Sequence, residues 1–382
     1  MKIMTLFGTR PEIIKLAPLV EELKKHDAEV APVLVSTGQH KRFTEQMTVF
    51  FNLRPDYDLD IMKDRQTLAH IITAVIDRLD PILVKERPDI LVVQGDTSSS
   101  TAGAIAASFR AIRVAHIEAG LRTPDKLSPF PEEINRRLTG VTADWHFAPT
   151  EWARQNLLKE GKNPATIHVT GNTIVDAMKT ILAEKDCNPP AGSRNGCREL
   201  LVTVHRRENF GKRLRRICYA LRAIADDHPD VRLTFPVHWN PNVREPITKM
   251  LSGHPRIQLL KPFSYVKFLQ ALQRCHFVLT DSGGVQEEAP FLGKPVLVLR
   301  EVTERPEAVE AGVAKLVGTD PYRIITAAGE LLTDPLAYDS MSCRVSPFGD
   351  GQASERIVNV LLRDVAGLPV RSGAAAMFDT IH

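Results

Sequence analysis

The sequence lacks any long apolar run. No segment reaches the roughly 18 consecutive apolar residues that suggest a transmembrane helix, so we expect no membrane span. The apolar residues near the start are soon interrupted by Gly8, Thr9 and Arg10, which makes this segment too short for a signal peptide.

A large excess of charge of one sign is also missing. The chain has 49 basic and 46 acidic residues, for a net charge of +3. Non-specific nucleic-acid binding depends on a strong positive field, so this balance gives no support to a nucleic-acid partner. A local basic pocket for a small anion is compatible with it.

Cysteine is scarce and scattered. The five residues, which form no CxxC pair, are Cys187, Cys197, Cys218, Cys275 and Cys343. An odd and dispersed set is typical of a reducing compartment and argues against a zinc site made of thiolates. We therefore expect a cytoplasmic protein.

The chain does contain an alternation of short apolar strands and helical patterns, which occurs twice. At about 150 residues per domain, 382 residues predict two domains. Such alternation is typical of parallel sheets. The predicted strands of the first series are residues 3–7, 33–36, 90–94, 114–117 and 167–170. Those of the second series are residues 200–204, 231–237, 277–280 and 296–299.

This pattern predicts an α/β fold with two doubly wound Rossmann-like domains facing each other across a cleft. The first domain would comprise residues 1–170 and the second residues 171–365, and a tail of residues 366–382 could pack back on the first. Residues 185–199, rich in Pro and Gly, are the best loop candidate. Ligands bind beyond the carboxyl ends of the strands in such sheets, so the residues after each strand are candidates for chemistry.

Arg10 lies in the turn after the first strand. Pro11 suits the first position of a helix there, and a guanidinium at this place could bind phosphate. The alternative is a well-capped helix with a surface arginine.

Three carboxylates occupy comparable positions of the first domain. Asp96 and Glu118 each follow a predicted strand, and Glu132 lies at a predicted helix start. Structural explanations exist: Asp96, Thr97 or Ser98 could be an N-cap, and Glu132 would suit a first helical turn. Glu118 could form an ion pair with Arg122. Convergence of the three on one edge of the sheet favours acid–base chemistry instead.

Two histidines follow strands of the second domain. His205 is followed by two arginines, whose charge favours a neutral imidazole able to donate to or accept from a substrate. A basic surface turn is the alternative. His205 and His238 could share a metal, but no third ligand has a suggestive spacing, so we expect no metal site.

The most specific local pattern is a strand that runs into Ser282, Gly283 and Gly284 and then into a helix. Glycines let the backbone approach a ligand, and a helix N-terminus presents N–H groups to an anion. Glu287 and Glu288 lie one turn further along, where a carboxylate could bind ribose hydroxyls. The pattern predicts diphosphate and ribose binding, with a glycine-rich turn capped by Ser282 as the alternative.

Together these motifs resemble those of the non-hydrolysing UDP-N-acetylglucosamine 2-epimerases of bacteria. The matching segments are FGTRPE, QGDT, HIEAGLRT, FPEEINRRLTG, TGNT, HRREN, PVHWNPNVREP, TDSGGVQEEAP, TERPEA and FGDGQAS. The resemblance implies a GT-B arrangement and reversible conversion of UDP-N-acetylglucosamine to UDP-N-acetylmannosamine. The family route is anti elimination of UDP to a bound 2-acetamidoglucal and re-addition of UDP, without a cofactor.

The resemblance also implies a homodimer that supplies cell-surface polysaccharide synthesis. The alternative functions are a hydrolysing epimerase, a GT-B glycosyltransferase that uses a UDP-sugar, and a regulator that only binds a nucleotide sugar.

The resemblance assigns roles to matching positions. Asp96, Glu118 and Glu132 match the acid–base carboxylates, and which one takes the C2 proton is left open. His205, on the nucleotide side, completes the catalytic set. The implied substrate ligands are Arg10, Lys15, Phe268, Ser282, Gly283, Gly284, Glu288 and Arg305. A regulatory site for a second UDP-N-acetylglucosamine is implied at Gln39, His40, Arg65, Glu133 and His238.

Three positions depart from the family pattern. Val204 precedes His205 at a position where the family often has Gly or Ala. Arg42 occupies a position where Gln or Glu is common, and Phe263 one where Gln is common. Val204 bears on how the histidine is aimed, and Arg42 bears on the regulatory site more than on the catalytic one.

Overall fold

Two parallel sheets, one in each half of the chain, form the framework of the computed structural model, which describes residues 1–183, 196–343 and 346–366. Most of the predicted loop at residues 185–199 lies outside the described residues, as does the predicted tail beyond residue 366. The chain divides into one unit of Met1–Ala177 with Phe348–His382 and a second unit of Met178–Pro347.

The sheet of the first unit has seven strands, all paired in parallel. In chain order they are β1 Lys2–Phe7, β2 Ala31–Ser36, β3 Tyr57–Asp58, β4 Ile90–Gln94, β5 Arg113–Ile117, β6 Trp145–Ala148 and β7 Ile167–Val169. Their spatial order is β3-β2-β1-β4-β5-β6-β7, so the winding reverses between β1 and β4. This is the order of a doubly wound Rossmann sheet, and ligands bind at such a reversal.

Helices connect these strands and cover the sheet. They are α1 Arg10–Lys24, α2 Lys41–Phe50, α3 Leu68–Glu86, α4 Ser98–Phe109, α5 Glu132–Thr142 and α6 Glu151–Lys159. Helix α7, Thr173–Ala183, follows β7, and its residues from Met178 belong to the second unit. The core beside β1 and β4 includes Leu6 and Leu91, which pack with buried residues of α3 and α4. Helix α4 consists largely of Ser, Thr, Ala and Gly, and a methyl group added at Gly103 would overlap Leu6. Small side chains therefore let α4 lie close against the sheet.

The second unit repeats the plan with six parallel strands. They are β8 Arg198–Thr203, β9 Val231–Pro236, β10 Ile257–Leu260, β11 Phe277–Thr280, β12 Val296–Val298 and β13 Ala314–Leu316. The helices are α8 Lys212–Asp227, α9 Pro241–Leu251, α10 Tyr265–Arg274, α11 Gly283–Phe291, α12 Pro306–Glu310, α13 Pro321–Thr333 and α14 Pro335–Met341. The spatial order β10-β9-β8-β11-β12-β13 reverses between β8 and β11.

The last described helix, α15 Ala353–Ala366, belongs to the first unit and packs against α1. Asp176 holds its N-terminus, since its carboxylate accepts from the backbone N–H groups of Ala353 at 3.2 Å and Ser354 at 2.8 Å. A carboxylate at this position satisfies two N–H groups that a helix cannot bond internally.

The two Rossmann-like sheets confirm the predicted fold class. The division of the chain differs from the sequence-based one, which began the second domain at residue 171 and extended it to residue 365. The predicted strands are all present within one or two residues of their ends. Among the described residues no helix has the length and apolar character needed to cross a membrane.

Candidate active site

The turn after β1 is organised by Glu12, a buried carboxylate in the first turn of α1. Its Oε2 accepts from the backbone N–H groups of Gly8 at 3.0 Å and Thr9 at 2.7 Å. Its Oε1 accepts from the hydroxyls of Thr97 at 2.7 Å and Ser100 at 2.6 Å. Burial raises the pKa of this carboxyl, and the four hydrogen bonds act in the opposite direction. Glu12 therefore ties the turn after β1 to the turn after β4.

Arg10 is the first residue of α1, half-buried beside the reversal of the sheet. The Thr9 N-cap precedes it, so Pro11 occupies the second helical position, one later than predicted. Arg10 lies close enough to His40 for its charge to act on that imidazole. Desolvation, and then the Arg10 charge, lower the pKa of His40.

Glu118 follows β5 with a backbone φ of 64°, in the left-handed region that non-glycine residues rarely adopt. Its Oε2 accepts from the ammonium of Lys15 and from Nε2 of Gln94 at 2.5 Å. The Lys15 and Glu118 side chains are 8% and 6% exposed, so this is a buried ion pair. Backbone strain and a buried charge at the reversal of the sheet are frequent at functional sites.

The ion pair between Glu118 and Arg122 that the sequence allowed is not the one that forms. Arg122 instead makes a bidentate pair with Glu160 of the segment after α6, with Nε and Nη2 each 2.7 Å from a carboxylate oxygen. The hydrogen bonds from Arg122, and then its charge, lower the pKa of Glu160. The ion-pair partner of Glu118 is Lys15 of α1 and not the nearby Arg122 that the sequence suggested.

Asp96 lies in the turn between β4 and α4. Its Oδ2 accepts from Nη2 of Arg136 at 2.5 Å, and its carbonyl oxygen accepts from Nδ2 of Asn135 at 2.9 Å. Thr97, not Asp96, is the N-cap of α4, because the Thr97 hydroxyl accepts from the Ser100 N–H at 3.0 Å. Of the three N-cap candidates, Thr97 therefore forms the cap and Asp96 does not.

Glu132 begins α5, the helix that carries both partners of Asp96. Asp96, Glu118 and Glu132 thus belong to one neighbourhood, since β4 and β5 are adjacent and α5 contacts the turn after β4. Glu133, predicted in a regulatory site, is fully buried and accepts from Thr123 N, Arg136 and Arg137.

The other predicted regulatory residues of the first unit lie after β2 and before α3. Gln39 is buried, and its Oε1 accepts from the Ser99 hydroxyl at 2.7 Å while its carbonyl accepts from Gln66. His40 donates its backbone N–H to the carbonyl of Gly8 at 3.0 Å. Arg65 is exposed with a φ of 53°. Gln39 and His40 therefore adjoin the β1 turn.

In the second unit, His205 follows β8 and is anchored by Asp281, which follows β11. The buried Asp281 carboxylate accepts from the backbone N–H groups of His205 at 3.0 Å and Arg206 at 2.9 Å, and from Nδ2 of Asn209 at 2.9 Å. Its Oδ1 also lies 3.5 Å from Nδ1 of His205. His205 stacks on His238 with ring centroids 5.9 Å apart. The structure thus brings the two predicted histidines together.

The Ser-Gly-Gly segment forms the N-terminus of α11, with Ser282 as the N-cap and Gly283 as the first helical residue. Arg305 lies against it, because a Cβ added to Gly283 would come within 2.5 Å of Nη1 of Arg305. Its Nε and Nη1 contact Glu287 at 2.7 Å and Glu304 at 2.6 Å. Arg305 is therefore held at the helix N-terminus by two buried carboxylates.

This ion network extends to Arg300, whose side chain is fully buried. Its Nε contacts Glu208 at 2.6 Å and its Nη1 contacts Glu304 at 2.7 Å. Burial would lower the pKa of Arg300, but the charges of Glu304 and Glu208 outweigh it and raise that pKa. Arg206 lies 3.8 Å from Glu304 and joins the same network.

Glu288 and Phe268, predicted at the ribose and the uracil, are linked by Tyr265. The Tyr265 hydroxyl donates to Oε1 of Glu288 at 2.7 Å, and its ring lies parallel to Phe268 at 6.5 Å between centroids. A carboxylate beside a partly exposed aromatic ring such as that of Phe268 can bind hydroxyls and a flat base.

Sequence reasoning missed several residues that organise these sites. They are Glu12, Gln94, Asn135, Arg136, Asp281, Arg300 and Glu304. They lie within or close to the recognised motifs. Most of their partners are distant in sequence, although Glu304 contacts the nearby Arg300 and Arg305. In the described part of the chain, no group of three or more His, Cys, Asp or Glu side chains is arranged to hold a metal.

Comparison with known proteins identifies the family. The family model described as UDP-N-acetylglucosamine 2-epimerase matches residues 21–362. The UDP-N-acetylglucosamine 2-epimerase of Bacillus subtilis (strain 168) is 50% identical over 362 residues, which cover 95% of both chains.

Solved structures agree. The UDP-GlcNAc 2-epimerase from Neisseria meningitidis bound to UDP-GlcNAc has a TM-score of 0.89 at 42% identity, covering 95% of this chain and 100% of that one. The S. aureus MnaA–UDP co-structure has a TM-score of 0.90 at 46% identity, covering 96% and 97%. The resemblance seen in the motifs is thereby confirmed, and this chain belongs to the UDP-N-acetylglucosamine 2-epimerase family.

Proposed function

We propose that this protein interconverts UDP-N-acetylglucosamine and UDP-N-acetylmannosamine by eliminating UDP and adding it back. The observation that carries the proposal is that each sheet reversal holds groups suited to one part of this reaction. The first unit has a cluster of carboxylates with buried cationic partners. The second has a helix N-terminus beside an arginine and an aromatic–carboxylate pair.

The second unit supports binding of UDP. The N–H groups at the start of α11 lack partners within the helix and carry the positive end of its dipole, so they suit a diphosphate. Ser282, Gly283 and Gly284 would surround the phosphates, and Glu288 with Phe268 would bind ribose and uracil. His205 would complete the nucleotide side, held in place by its buried anchor.

The first unit supports proton transfer at the sugar. The C2 hydrogen is not next to a carbonyl, so its removal needs the C1–O bond to break in the same process. One carboxylate takes the C2 proton while the electron pair forms the C1=C2 bond and UDP leaves with the C1–O electrons. UDP then adds back to C1 as a proton reaches the opposite face of C2.

Cations near the first-unit carboxylates suit this role. Lys15 compensates the charge of Glu118, and Arg10 at the start of α1 would bind the diphosphate as the leaving group departs. Retention of UDP matters, because the glycal reacts onward only if the same UDP, or another, returns to it. Exclusion of water would protect that intermediate.

We further propose that the protein acts as a cytoplasmic homodimer and supplies cell-surface polysaccharide synthesis. A regulatory site for a second UDP-N-acetylglucosamine at Gln39, His40, Arg65, Glu133 and His238 is part of the same proposal. The close position of Gln39 and His40 to the β1 turn supports a link between such a site and Arg10.

Incubation with UDP-N-acetylglucosamine in deuterated water tests the function. We expect both epimers at equilibrium and deuterium at C2 of the recovered sugars by NMR. Steady accumulation of free N-acetylmannosamine and UDP would point to the hydrolysing reaction instead. Turnover only after an acceptor sugar is added, with no deuterium at C2, would point to a glycosyltransferase.

The role of the carboxylates is tested with Asp96→Asn and Glu118→Gln. Acid–base residues contribute roughly 100- to 10,000-fold to rate, so we expect losses of that order in kcat with the UDP Kd little changed. A folded variant with a normal rate removes that residue from the chemistry. UDP binding by the first unit is tested with Arg10→Ala, for which calorimetry should show weaker binding.

A further inference from the structure

Two consecutive residues of α5 hold Asp96 from two directions. Nδ2 of Asn135 donates to the Asp96 carbonyl oxygen at 2.9 Å, and Nη2 of Arg136 donates to Asp96 Oδ2 at 2.5 Å. The main chain and the side chain of Asp96 are therefore both fixed to one helix. Because Glu132 begins the same helix, α5 also sets where two of the three carboxylates lie.

Arg136 is itself immobilised. Its side chain is 3% exposed, and its Nη1 lies 3.2 Å from Oε2 of Glu133, which is fully buried. Glu133 in turn accepts from the backbone N–H of Thr123 at 3.0 Å and from Nε of Arg137 at 2.8 Å. A planar guanidinium held between two carboxylates keeps one orientation, which a flexible ammonium would not.

The neighbours of Asp96 in the turn are held as well. Burial lowers the pKa of His116 to about 4, so its ring is neutral at neutral pH. Its Nε2 lies 2.7 Å from the carbonyl oxygen of Gly95 and must carry the hydrogen that it donates. Thr97 donates to the buried Glu12. Each of residues 95, 96 and 97 is therefore hydrogen-bonded to a side chain from another element.

One oxygen of Asp96 remains open. The Asp96 side chain is 27% exposed. Among the described residues, the hydrogen bond from Arg136 goes to Oδ2 and not to Oδ1. A carboxylate with one oxygen anchored to a buried cation and the other open is arranged to exchange a proton at a fixed point.

We infer that Arg136, with Asn135, is the positioning pair of Asp96: it anchors Oδ2 and stabilises the negative charge so that Oδ1 exchanges the proton at C2. The inference rests on the proposed function. Arg136 and Asn135 act through Asp96 and do not touch the sugar.

The experiment compares Arg136→Gln, Arg136→Lys and Arg137→Gln. We expect Arg136→Gln to lower kcat by about 10- to 100-fold, because a misplaced catalytic group loses rate of that order. The KM for UDP-N-acetylglucosamine and the UDP Kd should stay within about threefold, since α11 and its neighbours bind the nucleotide. Arg137→Gln is the matched control, because Arg137 shares Glu133 but has no contact with Asp96; its kcat should change by less than about threefold.

Arg136→Lys keeps a buried positive charge and decides the matter if Arg136→Gln does not fold. A single ammonium cannot replace a planar guanidinium that contacts two carboxylates. We therefore expect a kcat between those of the wild-type protein and Arg136→Gln. The double variant Asp96→Asn with Arg136→Lys should be no slower than Asp96→Asn alone, because a positioning residue has nothing left to position. Independent, multiplied losses would overturn the inference, as would a wild-type kcat in Arg136→Lys.

Failure of this inference is distinguishable from failure of the proposed function. If the wild-type protein does not exchange the C2 hydrogen, or Asp96→Asn keeps its rate, the proposed chemistry is at fault. If Asp96→Asn is slow but the Arg136 variants are not, only the positioning role is wrong.

Discussion

Gly283→Ala is the substitution whose effect can be worked out most directly from the structure. Gly283 begins α11 where the diphosphate is proposed to bind. A Cβ at this position would lie 2.5 Å from Nη1 and 2.9 Å from Cζ of Arg305, and 2.8 Å from Oε1 of Glu304. Ordinary contacts between such atoms are near 3.5 Å, so the guanidinium must move by about 1 Å.

That movement breaks a buried ion network. The contacts of Arg305 with Glu287 and Glu304 are 2.7 and 2.6 Å, and a shift of about 1 Å takes them out of hydrogen-bonding range. Hydrogen bonds to charged groups contribute about 1.5–3 kcal/mol each, and partial relaxation recovers some of that. Replacing Gly with Ala in a helix returns less than about 1 kcal/mol. We expect a net loss of about 1–3 kcal/mol in the free energy of unfolding.

Thermal unfolding measures this loss, and Gly284→Ala is the matched control. A Cβ at Gly284 would meet only Ser282 Oγ, at 4.0 Å. For a unit of this size, 1 kcal/mol corresponds to about 2–4 °C, so Gly283→Ala should lower Tm by about 3–10 °C. Gly284→Ala should leave Tm unchanged or slightly higher. Equal Tm values for the two variants would refute the placement of Arg305 against α11.

Three further outcomes follow from buried polar groups. Asp281→Asn leaves fewer acceptors for the backbone N–H groups of the turn that carries His205. We expect kcat to fall by about tenfold and the UDP Kd, measured by calorimetry, to rise by about tenfold. Wild-type values would contradict the anchoring role of Asp281. Glu12→Gln places an NH2 group opposite two donors and should lower the free energy of unfolding in urea by about 2 kcal/mol, whereas an unchanged midpoint would refute the role of Glu12 as a tie. Burial lowers the pKa of His116 to about 4 and of His146 to about 3, below the ordinary value near 6.5. The unfolded chain therefore binds protons that the folded chain does not. The free energy of unfolding should fall as the pH drops from 6.5 towards 4, by about 3 kcal/mol for each histidine. Denaturation curves that coincide at pH 7 and pH 5 would contradict this.

The predicted strands with the most continuous apolar runs are located best. The runs at residues 90–94 and 277–280 match β4 and β11 to the residue. The strands it missed, β3, β6, β10 and β13, are two to four residues long, so each contributes only a few apolar side chains to the pattern. Of these, β3, β10 and β13 lie at sheet edges, and a short edge strand is defined by its neighbour more than by its own residues.

Partners across the sheet were beyond the reach of local patterns. Sequence proximity suggested Arg122 for Glu118, but the parallel sheet brings α1 and its Lys15 to that carboxylate. The apolar face of α15 likewise indicates a core without saying which one, and the helix joins the first unit. Strand-end residues could be identified because the fold class dictates where they lie. Their anchors could not be, since these depend on contacts between distant elements.

In the proposed reaction, the bond between C1 of the sugar and UDP breaks and re-forms during each epimerisation. Positional isotope exchange tests it directly, with 18O in the oxygen that joins C1 to the diphosphate. If UDP is released within the site, rotation of its terminal phosphate moves 18O from the bridging to the non-bridging position, and 31P NMR of recovered UDP-N-acetylglucosamine detects the change. We predict exchange that accompanies deuterium incorporation at C2. Deuterium at C2 with all 18O retained in the bridge would contradict elimination and re-addition of UDP.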